Sequence, residues 1–220
     1  MSLKAELEQF KAEFLAKFPA EKAAIMARAD EELATKHIEQ SAVKVGDKAP
    51  SFTLPDATGK AISLADTLKN GPTIVIFYRG GWCPYCNLAL RAYQRILPEI
   101  KKAGGQLLAI SPQAPDTSLS TAEKNALTYP VLSDITFEAA NGFGILFTLP
   151  DYLQKLYSSL GHGLDVVNAN GAWSLPVPAT FVINTDGTIV ARHVETDYRQ
   201  RMEPADALAA LQQARAQRAA

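Results

Sequence analysis

Phe77-Tyr78-Arg79-Gly80-Gly81-Trp82-Cys83-Pro84-Tyr85-Cys86 holds both cysteines of the chain. An apolar, β-branched run, Thr73-Ile74-Val75-Ile76-Phe77, leads into it. Such a run predicts a strand buried on both faces of a sheet. Behind the cysteines, Asn87 to Leu97 carries apolar residues at helical spacing, and Gly80-Gly81 supplies the turn between strand and helix. Cys83 is therefore expected at the start of a helix, just past a strand, with Cys86 one turn further in.

That position has chemical consequences. The first turn of a helix carries unpaired N–H groups and the positive end of the dipole, and both favour a thiolate. A Cys-x-x-Cys pair there commonly holds one low-pKa, partly exposed thiol and a partner close enough to close a disulfide. Pro84 fits an early helical position, where its missing N–H costs little. The competing reading is half of a zinc site. Zinc takes four ligands, and His37, His162 and His193 all lie far from the motif in sequence. The redox reading is preferred, and no metal is expected. No organic cofactor is expected either: the chain has neither a dinucleotide glycine fingerprint nor a Walker loop, and Gly142-Phe143-Gly144 is too short to count.

The chain has 220 residues, 47% of them hydrophobic, and a formal net charge of −1. That composition fits a soluble globular protein. No basic block points to nucleic acid or to an anionic membrane surface. No apolar run is long enough to span a bilayer, and the charged, amphipathic N-terminus lacks the apolar core of a signal peptide. Two cysteines confined to one Cys-x-x-Cys suit a reducing compartment where the pair cycles, so a cytoplasmic location is expected.

Residues 1–42 read as an N-terminal helical arm and 43–220 as the domain that carries the dithiol. In the arm, Leu3, Leu7, Phe10, Phe14 and Phe18 form one apolar stripe. Pro19 breaks it, and a second helix is expected from Ala20 to Gln40, with Ile25, Ala29, Leu33 and His37 on one side. Such a stripe needs burial. A hairpin folded over the chain's own core and a homodimer contact both satisfy it.

Within the domain, Phe52–Leu54 and Ile62–Leu64 flank the turn Asp56–Lys60 as a hairpin, or Ser63 caps a short helix. Pro98 is expected to kink the dithiol helix rather than stop it, and Gly104-Gly105 to end it. Gln106–Ile110 is the next strand, which makes a right-handed strand–helix–strand unit. A helix over Ser118–Ala126, a strand at Val131–Asp134 and a helix from Phe137 to Gly142 follow. About 145–171 reads as an inserted helical segment on the side of the dithiol. Phe181–Ile183 and Thr188–His193 pair across the turn Asn184–Gly187. A last helix runs from Pro204 through Leu211, followed by a polar, frayed tail.

Together, Gly46-Asp47-Lys48-Ala49-Pro50-Ser51-Phe52-Thr53-Leu54, Ile74–Tyr78, Val131-Leu132-Ser133-Asp134 and Ala179-Thr180-Phe181-Val182-Ile183 carry a resemblance. Over about residues 43–213 the chain resembles the thioredoxin-fold superfamily. Within it, the chain is similar to the alkyl hydroperoxide reductase/thiol-specific antioxidant family, the peroxiredoxins. The match is closest to a subgroup bearing Arg-Gly-x-Trp-Cys-Pro-Tyr-Cys. The resemblance implies an α/β thioredoxin-like fold, a central mixed sheet with helices on both faces, here with the helical arm added.

The chain departs from the peroxiredoxin pattern Pro-x-x-x-Thr-x-x-Cys. Arg79 stands at its proline, Cys83 at its threonine and Cys86 at its peroxidatic cysteine; the family arginine falls at Pro178. The thioredoxin pattern fits these positions better, with Trp82-Cys83-Pro84-Tyr85-Cys86 at the helix start and Pro178 as the match to its cis proline near the cysteines. The buried aspartate of that pattern is here Phe77.

The resemblance implies an enzyme that reduces hydrogen peroxide or organic hydroperoxides through a Cys83/Cys86 dithiol–disulfide cycle, recycled by thioredoxin or another dithiol reductant. A thioredoxin-like protein disulfide oxidoreductase is the alternative. A redox sensor using the arm as its interaction surface is a third class. Helix position and access favour Cys83 as the attacking thiol with Cys86 resolving; the peroxiredoxin alignment favours Cys86. Arg79 either lowers a thiol pKa and meets the leaving oxygen or is simply solvated. Trp82 shields the disulfide edge, Tyr85 lines a partner groove, and Thr180 satisfies backbone near the dithiol. His162, in Gly161-His162-Gly163, is a lesser candidate base.

Overall fold

The computed structural model describes residues 1–219. The chain begins with α1 (Leu3–Lys17) and α2 (Ala20–Ala34), then a single turn, α3 (Ile38–Ser41). A hairpin of β1 (Thr53–Pro55) and β2 (Ala61–Ser63) leads into α4 (Leu64–Lys69). The strand β3 (Thr73–Phe77) precedes α5 (Pro84–Arg95), α6 (Leu97–Lys102) and β4 (Gln106–Ser111). Next come α7 (Pro115–Lys124), β5 (Val131–Ser133) and α8 (Glu138–Gly142). The short strands β6 (Leu146–Thr148) and β7 (Ser174–Pro176) bracket α9 (Asp151–Ser159) and α10 (Leu164–Val167). The chain closes with β8 (Ala179–Ile183), β9 (Ile189–Val194) and α11 (Pro204–Ala219).

The central sheet has the order β5-β4-β3-β8-β9. β3 runs parallel to β4 and antiparallel to β8, so the sheet is mixed as expected. Every residue of β3 and β8 is buried, which explains why β3 reads as a continuous apolar run. The pleat sends alternate side chains to opposite faces. Ile74, Ile76 and Tyr78 pack with Leu90, Tyr93, Ile100 and Leu211. Val75 and Phe77 pack with Leu64, Phe143 and Phe181 on the other side.

Several local expectations shift for identifiable reasons. α2 ends at Ala34, because His37 takes a left-handed backbone (φ 49°) and a fresh turn starts behind it. Pro98 does not kink a continuous helix: α5 stops before Ile96, and Pro98 sits in the first turn of α6, where a proline lacks nothing. Ser63 both ends β2 and caps α4, its hydroxyl accepting from the Asp66 N–H at 3.2 Å. The last helix continues past Leu211 to Ala219 instead of fraying; Ala220 lies outside the described residues. Val177–Pro178 is trans, and none of the described peptide bonds is cis. The chain needs no reversal there. β7 passes into β8 nearly directly, with the buried Val177 tied by its N–H to the Ile145 carbonyl at 2.7 Å.

The arm folds over its own chain. Leu3 and Leu7 are buried, and Phe10 meets the Tyr85 ring edge-on at 5.0 Å. Ala29 of α2 packs against Leu153, Leu156 and Tyr157 of α9. Leu3, Leu7 and Phe10 of the stripe are thus covered within one chain, while Phe14 and Phe18 stay half-buried.

Phe143 anchors the face opposite α5. It is fully buried, and its ring lies 4.8 Å from Phe181 and 5.0 Å from Phe77. Phe143→Ala should cost about 3–5 kcal/mol. Urea unfolding should show this as a lower midpoint with an unchanged slope; an unchanged midpoint would mean that this aromatic cluster is not the anchor of that face.

Candidate active site

The turn between β3 and α5 is built by glycine and held by amides. Gly80 has φ +144°, and a Cβ there would lie 2.4 Å from Trp82 Nε1. A Cβ on Gly81 would lie 2.2 Å from the Thr121 hydroxyl. The Gly81 N–H donates to Gln113 Oε1 at 2.6 Å, and the Asn87 side chain donates to the Gly81 carbonyl at 2.9 Å. Asn125 in turn donates to Asn87 Oδ1 at 3.0 Å. Cys83 is the residue that precedes α5, with Pro84 in the first turn, as the sequence indicates.

Both cysteines are reduced, and both are buried. Cys83 is 2% exposed and Cys86 0%, so the partly exposed thiol expected at Cys83 is absent. The reason is long-range. The bend of the arm and the end of α9 lie over the helix start, enclosing a cavity of about 390 Å³. Phe14, Phe18, Met26, Trp82, Tyr157 and His162 line it, and Cys83 borders it; Cys86 does not.

The electrostatics treat the two thiols as one unit. Burial pushes Cys83 well up, and its hydrogen bond to Cys86 adds to that. Burial also opposes a thiolate at Cys86, but the Cys83 thiol, the Arg201 guanidinium, the Arg79 backbone N–H and the Arg79 charge outweigh it and bring Cys86 well below the ordinary thiol range. Arg201 Nη2 stands 3.6 Å from Cys86 Sγ. The thiolate is therefore favoured at Cys86 and disfavoured at Cys83, and the two thiols titrate as a pair.

Arg79 is not a solvated arginine. It is 4% exposed and keeps its charge in spite of burial, because the tyrosine and cysteine groups around it favour the cation. One terminal nitrogen donates to the Tyr157 hydroxyl, while Nε has no partner. Its guanidinium carbon lies 4.5 Å from the Tyr198 ring centre, 5.0 Å from Trp82 and 5.5 Å from Tyr157. These rings form a cation–π cage.

The other sequence candidates divide. Trp82 and Tyr85 border the dithiol cavity, and His162 stacks on Trp82 at 5.6 Å. Pro178 borders a different cavity, on the side of Arg79 facing α2, with Asp30, Leu33 and Thr196. Thr180 is buried in β8 between Ile76 and His193, with its hydroxyl toward Tyr93. Three contributors went unassigned in the sequence: Arg201, Tyr157 and Tyr198. Only Tyr157 carried a signal, its place in the helical repeat of the inserted segment. Among the described residues no group of three or more His, Cys, Asp or Glu is arranged to hold a metal. No helix among them is long and apolar enough to cross a membrane.

Two adjacent buried thiols, one of them favoured as the thiolate, with two guanidinium groups beside them and an apolar cavity at Cys83, can perform two-electron sulfur chemistry. Comparison with known proteins agrees with this. Peroxiredoxin Bcp of Escherichia coli is 30% identical over 129 residues, which cover 59% of this chain and 81% of that protein. The thiol-disulfide oxidoreductase ResA of Geobacillus thermodenitrificans is 30% identical over 108 residues, covering 49% of this chain and 61% of that one. The crystal structure of peroxidoxin BcpB from Mycobacterium tuberculosis superposes with a TM-score of 0.62 at 25% identity, covering 78% of this chain and 97% of that one. The AhpC/TSA family model matches residues 45–192, from the turn before β1 to the middle of β9, and the chain belongs to that family of peroxiredoxins.

Proposed function

We propose that the protein is a dithiol peroxidase in which Cys83 attacks the peroxide and Cys86 resolves the product. Access carries the assignment: of the two sulfurs, Cys83 alone borders the cavity that a peroxide can enter. Charge is first held nearer Cys86, beside Arg201. Transfer of the Cys83 proton to Cys86 removes the conflict, because it leaves the thiolate on the sulfur that borders the cavity without changing the charge of the pair.

The Cys83 thiolate attacks one peroxide oxygen and the O–O bond breaks. Cys83 becomes a sulfenic acid, and the departing oxygen leaves as an alcohol or water once it takes a proton. The caged Arg79 cation stabilises that oxygen while it carries charge. Cys86 then attacks the Cys83 sulfur, water leaves, and the disulfide closes. Thioredoxin or a similar dithiol reductant takes up the two oxidising equivalents. A pair that cycles in this way suits a reducing compartment such as the cytoplasm.

A disulfide oxidoreductase is the second reading. It is favoured by the similarity to ResA and by the cysteine borne at the position before Pro84, next to a tryptophan. Peroxide consumption with thioredoxin, its reductase and NADPH, set against insulin reduction, separates the two.

The cysteine variants test the assignment. Cys86→Ser should consume about one equivalent of peroxide and accumulate a sulfenic acid, without turnover on a dithiol reductant. Cys83→Ser should react slowly or not at all. The reverse pattern would make Cys86 peroxidatic, and negligible rates in wild type and both variants would leave the oxidoreductase.

The pH dependence follows from the direction of the Cys86 shift. Because the first proton leaves below the ordinary thiol range, alkylation of the reduced protein by iodoacetamide should hold its rate as pH falls through neutrality. It should decline only as pH passes down through the lowered value. Arg201→Gln removes a stabilising cation, so the decline should move to higher pH by about one unit or more. An unshifted profile in Arg201→Gln would show that Arg201 does not support the thiolate.

A further inference from the structure

The segment Asp197–Glu203, between β9 and α11, touches the dithiol and both helices of the arm. Its Arg201 lies 3.6 Å from Cys86 Sγ. Its Arg199 pairs with Asp30 of α2 at 3.0 Å and is steadied by Asp197 at 2.6 Å. Its Glu203 accepts from the backbone N–H groups of Leu3 and Lys4 at 3.1 and 2.7 Å, closing the N-terminus of α1. Its Tyr198 meets Tyr85 edge-on at 5.5 Å.

The arm is held firmly at its two ends and loosely at its bend. Leu3, Leu7, Ala29 and Leu33 are buried. Phe14 and Phe18 are only half-buried, and Leu15 is 47% exposed. A cavity of about 330 Å³ lies under the bend between Phe14, Met26 and Tyr85, beside the one that reaches Cys83. Arm and segment alike fall outside the residues matched by the family model, 45–192. They meet each other and the dithiol.

The cover over the dithiol conflicts with recycling. Disulfide exchange needs an incoming thiolate that reaches the attacked sulfur. Cys83 is 2% exposed, and the cavity it borders is lined by Phe14 and Phe18, so the seated arm narrows the approach of a protein thiol.

We propose that oxidation of the dithiol unseats the arm: disulfide formation removes the negative charge beside Arg201, and the segment Asp197–Glu203 relaxes its hold on α1 and α2, opening Cys83 to the reductant. This rests on the Cys83/Cys86 cycle of the proposed function, though not on peroxide being the oxidant. In the peroxide reaction the singly protonated pair, one peroxide and one proton yield the disulfide, an alcohol (or water) and a water. The charge of the pair goes from one negative to none, and Arg201 loses its partner across to the core while keeping its bonds to the Tyr198 and Gln200 carbonyls of its own segment. In the reduced protein the same contact holds the arm closed.

Hydrogen–deuterium exchange on the full chain, reduced and after diamide, tests this. Diamide is reduced to its hydrazine as the disulfide forms, so peroxidase activity is not required. Amides of α1 and α2 should exchange roughly tenfold or more faster in the disulfide form, the scale set by losing one charge-assisted contact. Reduced Arg201→Gln should already exchange at the faster rate, and diamide should add little. Reduced Glu203→Gln should show the acceleration in α1. In the Cys83→Ser/Cys86→Ser double variant, diamide should change nothing. A confirmed disulfide with arm exchange unchanged would overturn the coupling alone. So would an acceleration on oxidation of Arg201→Gln as large as in wild type. Two free thiols remaining after diamide would overturn the dithiol cycle, and the coupling with it.

Discussion

A buried thiolate favoured at Cys86 organises this molecule. A charge out of water is costly unless it is balanced and hydrogen-bonded. Here the balance comes from three directions: the Cys83 thiol, Arg201 on the Cys86 side, and Arg79 through its N–H and its cation. Arg79 needs its own support, which comes from the Tyr157 hydroxyl and three aromatic rings. Those rings arrive from the α5 turn, from α9 and from the segment after β9. The site is complete only when distant parts of the chain converge on it, so the inserted helix and the arm are structural partners of the dithiol as well as its cover.

The parts of this arrangement that are local were legible in the sequence. A β-branched run, two glycines and a proline between two cysteines dictate strand, turn and helix start without reference to the rest of the chain. The helix cap at Ser63 and the turn at Asn184–Gly187 follow the same logic, each fixed by residues a few positions apart. Pro98 shows the limit of local reading. A proline is compatible with a kink inside a helix and with the first turn of a new one, and only the packing of Ile96 and Ile100 selects between them.

The long-range features were not legible. Arg201 is separated from Cys86 by 115 positions and lies in a polar stretch with no periodicity. Nothing local distinguishes it from a solvated arginine, and the same holds in reverse for Arg79, whose burial comes from rings elsewhere in the chain. The stripe Leu3–Phe18 announced an apolar face but not what covers it. The exposure of Cys83 was misjudged for the same reason: access to a helix N-terminus depends on what is packed above it. Pro178 was read through a pattern whose backbone turn this chain does not make.

The family arginine falls at Pro178, and that proline faces another cavity. A thiolate that attacks a peroxide needs a cation for itself and for the departing oxygen. In the proposed mechanism the two tasks would fall to residues from different places: Arg201, 3.6 Å from Cys86 Sγ, and Arg79, which borders the cavity that Cys83 also borders. Dividing them has a structural consequence. A cation carried by a peripheral segment can respond to the loss of its counter-ion, whereas one locked in an aromatic cage cannot. Arg79 is held by Trp82 and Tyr157 as well as by Tyr198, while Arg201 stands beside Cys86 with its neighbours Arg199 and Glu203 on the arm. The arginine beside Cys86 is therefore the one whose neighbours hold the cover.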